Sequence, residues 1–248
     1  MNEVPRHYLG VWERKVLRVG SEPQDTRTRV FWLQTPHWHA DVRVPADRPS
    51  FAGVASPADC SVQQLRWLVR QEAFAGITTV SGDRCWWHRM IDFRFRRSQD
   101  VGRMAFAGEQ VEEFGVHADY YELWQRLPGT GTGARAWQDT AGPRRIACVA
   151  GDRFLFVRER PVWDAEAVRI QARIELGEAS RVELEAFVDF EASFGRIEGD
   201  AARIELSTLP WREGAIAFTL SGLQREPWQP AGIGPVHAAV FEAAAGAS

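Results

Sequence analysis

The sequence has few of the residues that mark a disulfide-rich or metal-binding protein. Its 248 residues include 3 cysteines, Cys60, Cys85 and Cys148, an odd number without CxxC spacing. This pattern suggests neither a disulfide framework nor a cysteine-ligated zinc site. We therefore expect free thiols, no metal site and the reducing environment of the cytoplasm.

Positive charge and long apolar runs are also scarce. The formal net charge is −3, whereas nucleic-acid binders carry a clustered basic excess. Lys15 is the only lysine among 30 basic residues, which is typical of GC-rich bacterial coding. No run approaches the ~20 apolar residues of a membrane span, and the first residues lack a signal-peptide pattern. These features predict a cytoplasmic protein with no nucleic-acid partner and no membrane insertion; a homo-oligomer is compatible with them.

Tryptophan, by contrast, is abundant. There are 11 Trp residues against only 3 Tyr, and nine of the tryptophans precede residue 164. Most of them lie on segments that alternate like β-strands. A tryptophan on a strand either fills a core or provides a flat aromatic wall for a ligand, and both interpretations stay open.

Short alternating segments separated by Gly, Pro, Asp and Ser predict an all-β protein. In the first half, strands are expected to begin at 10–12 and to occupy 30–33, 38–44, 76–80, 85–94, 103–106, 109–114 and 119–127. The segment 56–72 differs, because its apolar residues recur at helical spacing. It predicts one short amphipathic helix.

The second half begins after the most glycine-rich stretch, residues 128–144, which we predict to be a linker. Beyond it, two segments alternate cleanly between apolar and charged residues and predict strands. Their inward residues would be Ile170, Ile174, Leu184, Val188 and Phe190. The sequence therefore predicts two tandem antiparallel barrels: residues 1–135, and a more structural barrel at 136–248.

The order of motifs in the first half resembles a lipocalin-type (calycin) barrel. A G-x-W occurs in "GVW" (10–12), and the expected helix leads into "AFAGITTVSGD" (73–83). The segments "WWHRMIDF" (86–93), "GRMAFAG" (102–108) and "YYELWQRL" (120–127) follow in that order. The resemblance implies two calycin-like barrels with one short helix in the first.

The whole chain is also similar to the Hri family of fungal proteins and their uncharacterised bacterial relatives, which are built as two tandem calycin-like barrels. The shared phrases are "AFAG" (73–76), "VEEFGV" (111–116), "YYELWQ" (120–125) and "ASFGR" (192–196). They lie in both halves of the chain. Since this family has no established catalytic residues, the resemblance implies a fold and leaves the function open.

Charged residues on otherwise apolar strand faces are the candidate site residues. Arg89 shares a strand face with Trp87, and a buried guanidinium is costly unless it is paired. Arg89 is therefore either a structural salt bridge to the Trp12 strand or an anchor for a ligand carboxylate. Glu122, flanked at i±2 by Tyr120 and Trp124, is either the partner of Arg89 or a general base.

The segment 38–44 leaves its orientation open. As a strand it has an apolar face and a polar face, formed respectively by Trp38, Ala40 and Val42 and by His39, Asp41 and Arg43. The polar face is either exposed to solvent or directed into a pocket. In the second case a histidine, a carboxylate and a guanidinium would enter the first barrel together.

Two function classes follow from these candidates. The leading hypothesis is a lipocalin-like binding protein for a small apolar or aromatic molecule, with or without a carboxylate, bound by Trp38, Arg43, Trp87, Arg89, Tyr120 and Trp124. The alternative is a lyase, isomerase or hydratase that needs no cofactor and uses His39, Asp41 or Glu122 as acid–base groups. A protein-interaction module based on exposed aromatic residues is a third hypothesis. We expect no cofactor in any of the three.

Overall fold

Two antiparallel β-sheets follow one another along the chain in the computed structural model, which describes residues 2–96, 98–139, 141–142 and 144–232. The first eight strands form a closed barrel. The next seven form an open sheet that curls into half a barrel. The predicted all-β class with two successive barrel-like units is confirmed.

The first barrel matches the predicted order of strands and helix. Its strands are β1 (Gly10–Val19), β2 (Arg29–Gln34), β3 (Trp38–Val44), β4 (Glu72–Ser81), β5 (Arg84–Asp92), β6 (Asp100–Ala107), β7 (Gln110–Gly115) and β8 (Tyr120–Arg126). Strand β1 closes the barrel by pairing with β8. Helix α1 (Val62–Leu68) lies between β3 and β4 and begins at a capping box in which Ser61 and Gln64 bond each other's backbone N–H groups.

Tryptophans fill one end of the first barrel. Trp32 lies at the centre of this group, stacked on Trp12 at 6.0 Å and in edge contact with Trp87 and Trp124 at 5.7 and 5.8 Å. The indole of Trp12 donates to the carbonyl of Tyr8, 2.8 Å away, in a short 3-10 helix beside the barrel. At this end the tryptophans are a packed core, which we call the tryptophan floor.

The second sheet contains a strand inside the stretch predicted to be a linker. Its strands are β9 (Arg135–Asp139), β10 (Arg145–Ala150), β11 (Arg153–Arg158), β12 (Glu191–Glu198), β13 (Ala201–Ser207), β14 (Ile216–Thr219) and β15 (Gln229–Pro230). The prediction of a linker over 128–144 was therefore wrong for residues 135–139, which form β9 and in which Trp137 is buried. The first sheet ends at Arg126 and the second begins at Arg135.

Two segments predicted as strands are helices: α2 (Asp164–Glu175) and α3 (Arg181–Val188). The exposed side chains show why the strand prediction failed. Leu176 and Val182 are each 71% exposed, although strand alternation would have placed both inside. A capping box between Ser180 and Glu183 begins α3. Even so, all five residues predicted to face inward are buried or packed against the buried core.

The two sheets share one apolar core. The outer face of β3 and the neighbouring face of β2 pack against the second sheet and helices α2 and α3. Phe31 of β2 stacks on Phe194 of β12 with ring centroids 3.9 Å apart and planes 8° from parallel. Trp38 and Val42 belong to the same core. Strand β3 is therefore buried on both faces.

Candidate ligand-binding site

A cavity of about 610 Å³ occupies the part of the first barrel above the tryptophan floor. This volume falls within the range of about 300 to 1,000 Å³ that is typical of small-molecule sites. Five aromatic side chains contribute to its wall: Trp32, Phe74, Trp87, Tyr120 and Trp124. The remaining wall is unusually rich in charged side chains.

Strand alternation directs these charged side chains inward. On β1, β7 and β8, Arg14, Glu113 and Glu122 each lie two positions from a residue of the tryptophan-floor cluster. Two glycines make room for Glu113 and for Tyr120, which also lines the cavity. A Cβ at Gly102 would lie 2.8 Å from Cγ of Glu113, and a Cβ at Gly115 would lie 2.5 Å from the ring of Tyr120. The sequence therefore provides space as well as charge.

Four elements of the barrel meet in one chain of ion pairs. Arg14 donates to Oε1 of Glu122 and to Oδ2 of Asp25, each over 2.8 Å. Arg43 donates to the same Oε1 of Glu122 over 3.3 Å and to Oδ1 of Asp41 over 2.9 Å. Burial raises the pKa of Asp41, and the adjacent Arg43 opposes that rise. The open question about β3 is answered for Asp41 and Arg43, which line the cavity.

Arg89 enters the cavity, but its partners differ from those expected. Its Nε and Nη2 donate to Oδ2 of Asp100 over 3.0 and 2.5 Å, and its Nη1 lies 3.5 Å from Asp92. The guanidinium also lies 3.6 Å from the ring centroid of Phe74. Pairing of Arg89 with Glu122 or with the Trp12 strand, one of the alternatives left open, is not found among the described residues, where Arg89 pairs with Asp92 and with Asp100 on the adjacent strand.

Glu113 is a site residue that the sequence reasoning missed. It is the cross-strand neighbour of Glu122. Its Oε1 accepts from the hydroxyl of Tyr120 over 2.7 Å, and its Oε2 accepts from Nε1 of Trp124 over 3.0 Å. Burial, together with the nearby charge of Glu122, raises the pKa of Glu113 well above its usual value. The available signal was its place on the same strand face as Val111, which is fully buried.

Seven of the nine predicted site residues line this cavity: Asp41, Arg43, Trp87, Arg89, Tyr120, Glu122 and Trp124. Trp38 lies on the outer face of β3, where its indole donates to the carbonyl of Ala231 over 3.2 Å. The other lining residues not predicted include Arg14, Asp25, Trp32, Phe74 and Asp100. For Arg14 the signal was its spacing from Trp12; the aspartates follow loops whose course the sequence does not specify.

His39 is buried beside the cavity and is held as one neutral tautomer. Thr78 donates its hydroxyl proton to Gln34, 2.8 Å away, so Nδ1 of His39 must donate to Thr78 over 3.0 Å. Burial and the nearby Arg89 lower the pKa of His39 well below its ordinary value. Its Nε2 has no hydrogen-bond partner among the described residues. Asp41 and Arg43 line the cavity, whereas His39, on the same face of β3, does not.

Within the described ranges, no three His, Cys, Asp or Glu side chains are arranged to hold a metal ion. Cys60, Cys85 and Cys148 are buried and unpaired. None of the helices in the described part of the chain is long and apolar enough to cross a membrane.

Comparisons with known proteins extend the description of the fold. No protein-family model and no curated protein matches this chain. Among solved structures, it is similar to the uncharacterized protein YLR301w from Saccharomyces cerevisiae, with 13% identity and a TM-score of 0.50 over 80% of this chain and 84% of that one. An uncharacterized protein from Bacteroides eggerthii matches 48% of this chain and 99% of its own, with 7% identity and a TM-score of 0.32. The yeast similarity supports the fold alone, and the second is too weak for any argument.

Proposed function

We propose that this protein binds one small molecule in the first barrel. The cavity of about 610 Å³ carries this proposal, because it is large enough for a single ligand and is surrounded by aromatic side chains. Trp87, Tyr120 and Trp124 provide a wall for an apolar or aromatic ligand body. The motifs shared with the Hri family and the similarity to a fungal structure support a calycin-like, Hri-type assignment.

The second half has a supporting role in this proposal. Its sheet and helices cover the outer face of β3, and the cavity lies on the other face. The chain thus consists of a ligand-binding unit, residues 1–135, and a structural unit, residues 136–248. The buried, unpaired cysteines fit a reducing cytoplasm.

One observation favours a second candidate, an acid–base enzyme that needs no cofactor. Glu113 and Glu122 are cross-strand neighbours in different surroundings, since guanidinium groups donate to Glu122 and uncharged groups donate to Glu113. Such pairs provide acid and base in many active sites. Binding is nevertheless the stronger proposal. Asp41 and Glu122, two of the expected acid–base groups, are both ion-paired with Arg43, so guanidinium donors engage carboxylate oxygens that a base would offer to a substrate.

Native mass spectrometry of the purified protein tests the proposal directly. We expect an adduct of small mass, or binding of aromatic compounds at one site per chain. Tyr120→Ala should weaken that binding by up to about tenfold, because an aromatic contact contributes at most ~1.5 kcal/mol beyond its buried area. Tyr121→Ala is the matched control, since the Tyr121 side chain bonds the exposed Glu112 outside the barrel.

Two results would contradict the proposal. The first is a protein that carries no adduct and binds no member of an aromatic library. The second is an equal loss of binding in Tyr120→Ala and Tyr121→Ala, which would place the ligand outside the barrel.

A further inference from the structure

Carboxyl groups outnumber guanidinium groups inside the cavity. The seven carboxyls are Asp25, Asp41, Glu72, Asp100, Glu113, Asp119 and Glu122, and the five guanidiniums are Arg14, Arg43, Arg70, Arg89 and Arg96. Each of these arginines is already paired with at least one carboxylate. An anionic ligand would have to displace one of those carboxylates, and it would be repelled by the others.

Glu113 differs from the other cavity carboxyls that are not exposed, Asp25, Asp41, Glu72, Asp100 and Glu122, because each of those is paired with an arginine. The side chains that donate to it among the described residues, Tyr120 and Trp124, are both uncharged. Glu113 is only 4% exposed, yet it lines the cavity. A carboxylate has about four lone-pair positions, so two remain for donors on a ligand. Among the described cavity carboxyls that are not exposed, Glu113 is the one without a salt bridge to an arginine.

Aromatic rings surround the same carboxyl group. Trp124 and Tyr120 donate hydrogen bonds to it, and Trp87 lies next to it, where Gly102 has no side chain. A Cβ placed on Gly102 would be 2.8 Å from Cγ of Glu113 and 3.1 Å from Cζ3 of Trp87, so these two side chains are close neighbours. Ring faces attract organic cations, and the attraction is stronger in a desolvated site. Carboxylate and rings therefore favour the same ligand charge.

We propose that the first barrel binds a small organic cation, a protonated amine on an aromatic or apolar body, with Glu113 as its counter-ion. This inference rests on the proposed binding function and specifies its ligand class. Where Glu113 is protonated before binding, its proton passes to solvent, and the resulting carboxylate accepts hydrogen bonds from the ammonium group. No covalent bond to the ligand forms.

The charged and titratable groups around Glu113 determine how binding depends on pH. They come from five elements: Glu122 and Tyr120 of β8, Asp100 of β6, Arg43 of β3, Cys85 of β5 and Tyr8 of the N-terminal 3-10 helix. Burial and the two acids raise the pKa of Glu113, and Arg43 opposes the rise. Below that pKa the amine must displace a proton. Its affinity should therefore fall by about tenfold for each pH unit of acidification.

Isothermal titration calorimetry with three indole compounds tests the ligand class. Tryptamine is a cation, tryptophol is neutral and indole-3-propionate is an anion, while the indole body is the same. We expect tryptamine to bind at least about tenfold more tightly than the other two, as a charge-assisted hydrogen bond implies. Titrations at a pH below the pKa of Glu113, in buffers of different ionisation enthalpy, should show proton release with tryptamine.

Paired variants assign the effect to one side chain. Glu113→Gln should reduce tryptamine affinity to that of tryptophol and abolish the proton release. Glu112→Gln is the matched control, because Glu112 is adjacent in sequence, exposed, and bonded to Tyr121 outside the barrel. Glu112→Gln should leave unchanged both the preference for tryptamine over tryptophol and the proton release.

The outcomes separate this inference from the proposed function. If tryptophol or indole-3-propionate binds as tightly as tryptamine, the cation assignment is wrong and small-molecule binding stands. Equal effects of Glu113→Gln and Glu112→Gln would also overturn the assignment. If none of the three compounds binds, the cation assignment fails, and native mass spectra of the purified protein then decide the proposed function separately.

Discussion

Arg160 joins the two halves of the chain through three hydrogen bonds. Its Nε donates to the carbonyl of Phe187 in α3 over 3.1 Å. Its Nη2 and Nη1 donate to the carbonyls of Phe93 and Asp92, at the end of β5, over 2.8 and 3.3 Å. The guanidinium also lies 4.4 Å from the ring centroid of Phe187. Replacement by methionine keeps an unbranched apolar chain and removes all three donors.

The expected loss of stability follows from the two carbonyls that would stay buried. An unsatisfied buried acceptor costs about 1 to 3 kcal/mol, so Phe93 and Phe187 together give roughly 2 to 6 kcal/mol. Methionine also relieves the burial of a charge, the same desolvation that lowers the pKa of Arg160 to about 10. Because of this gain, we expect the net destabilisation of Arg160→Met to lie near the lower end of the range of roughly 2 to 6 kcal/mol, at about 2 to 3 kcal/mol.

Urea and thermal unfolding measure the effect. A loss of about 2 to 3 kcal/mol corresponds to a melting temperature lower by roughly 4 to 12 °C for a chain of this size. Arg169→Met is the control, because Arg169 forms exposed ion pairs on α2 whose loss should change the melting temperature little. If Arg160→Met is no more destabilising than Arg169→Met, the apolar core alone joins the halves and the reasoning is refuted.

Three further changes have defined outcomes. Folding raises the pKa of Glu113, so above about pH 4.5 the native state keeps a proton that the unfolded state loses, and the free energy of unfolding should fall by up to about 1.4 kcal/mol per pH unit as the pH rises. Urea unfolding of Glu113→Gln should therefore show a flatter dependence of stability on pH than the unmodified protein, and parallel profiles would contradict this. Gly102→Ala should displace Glu113 and cost about 1 to 3 kcal/mol in thermal unfolding; an unchanged melting temperature and unchanged tryptamine affinity would show that the site accommodates the methyl group. Leu184→Ala should cost about 2 to 5 kcal/mol and leave ligand binding by the folded protein unchanged; parallel losses of stability and binding would mean that the second half helps to form the site.

The strands of the first barrel were predictable because most of them alternate in a single register. On β8, for example, Glu122 and Trp124 share the inward face, and spacing alone groups them with Tyr120. The partners of the charged groups were not predictable from spacing. Arg14 and Glu122 are 108 residues apart, and they meet only because β1 closes the barrel against β8.

In the second half, the buried residues were predicted better than the elements that carry them. Leu184 and Val188 are four positions apart, a spacing that places two side chains on one face of a strand and also on one face of a helix. Over only eight residues, the strand period of 2 and the helical period of 3.6 are hard to separate. Val182 would have distinguished them, since it is exposed on α3 and would have faced inward on a strand.

Strand β3 reverses the polarity expected of a barrel wall, and this reversal connects the second half to the site. An isolated barrel in water usually directs apolar side chains inward and polar ones outward. On β3 the second sheet covers the outer face, so Trp38 and Val42 are buried there. The inward face can then carry Asp41 and Arg43, because the apolar residues of this strand already have a core to join. The second half thus covers the apolar face of β3 opposite the charged cavity, although it contributes no residue to the cavity wall among those described.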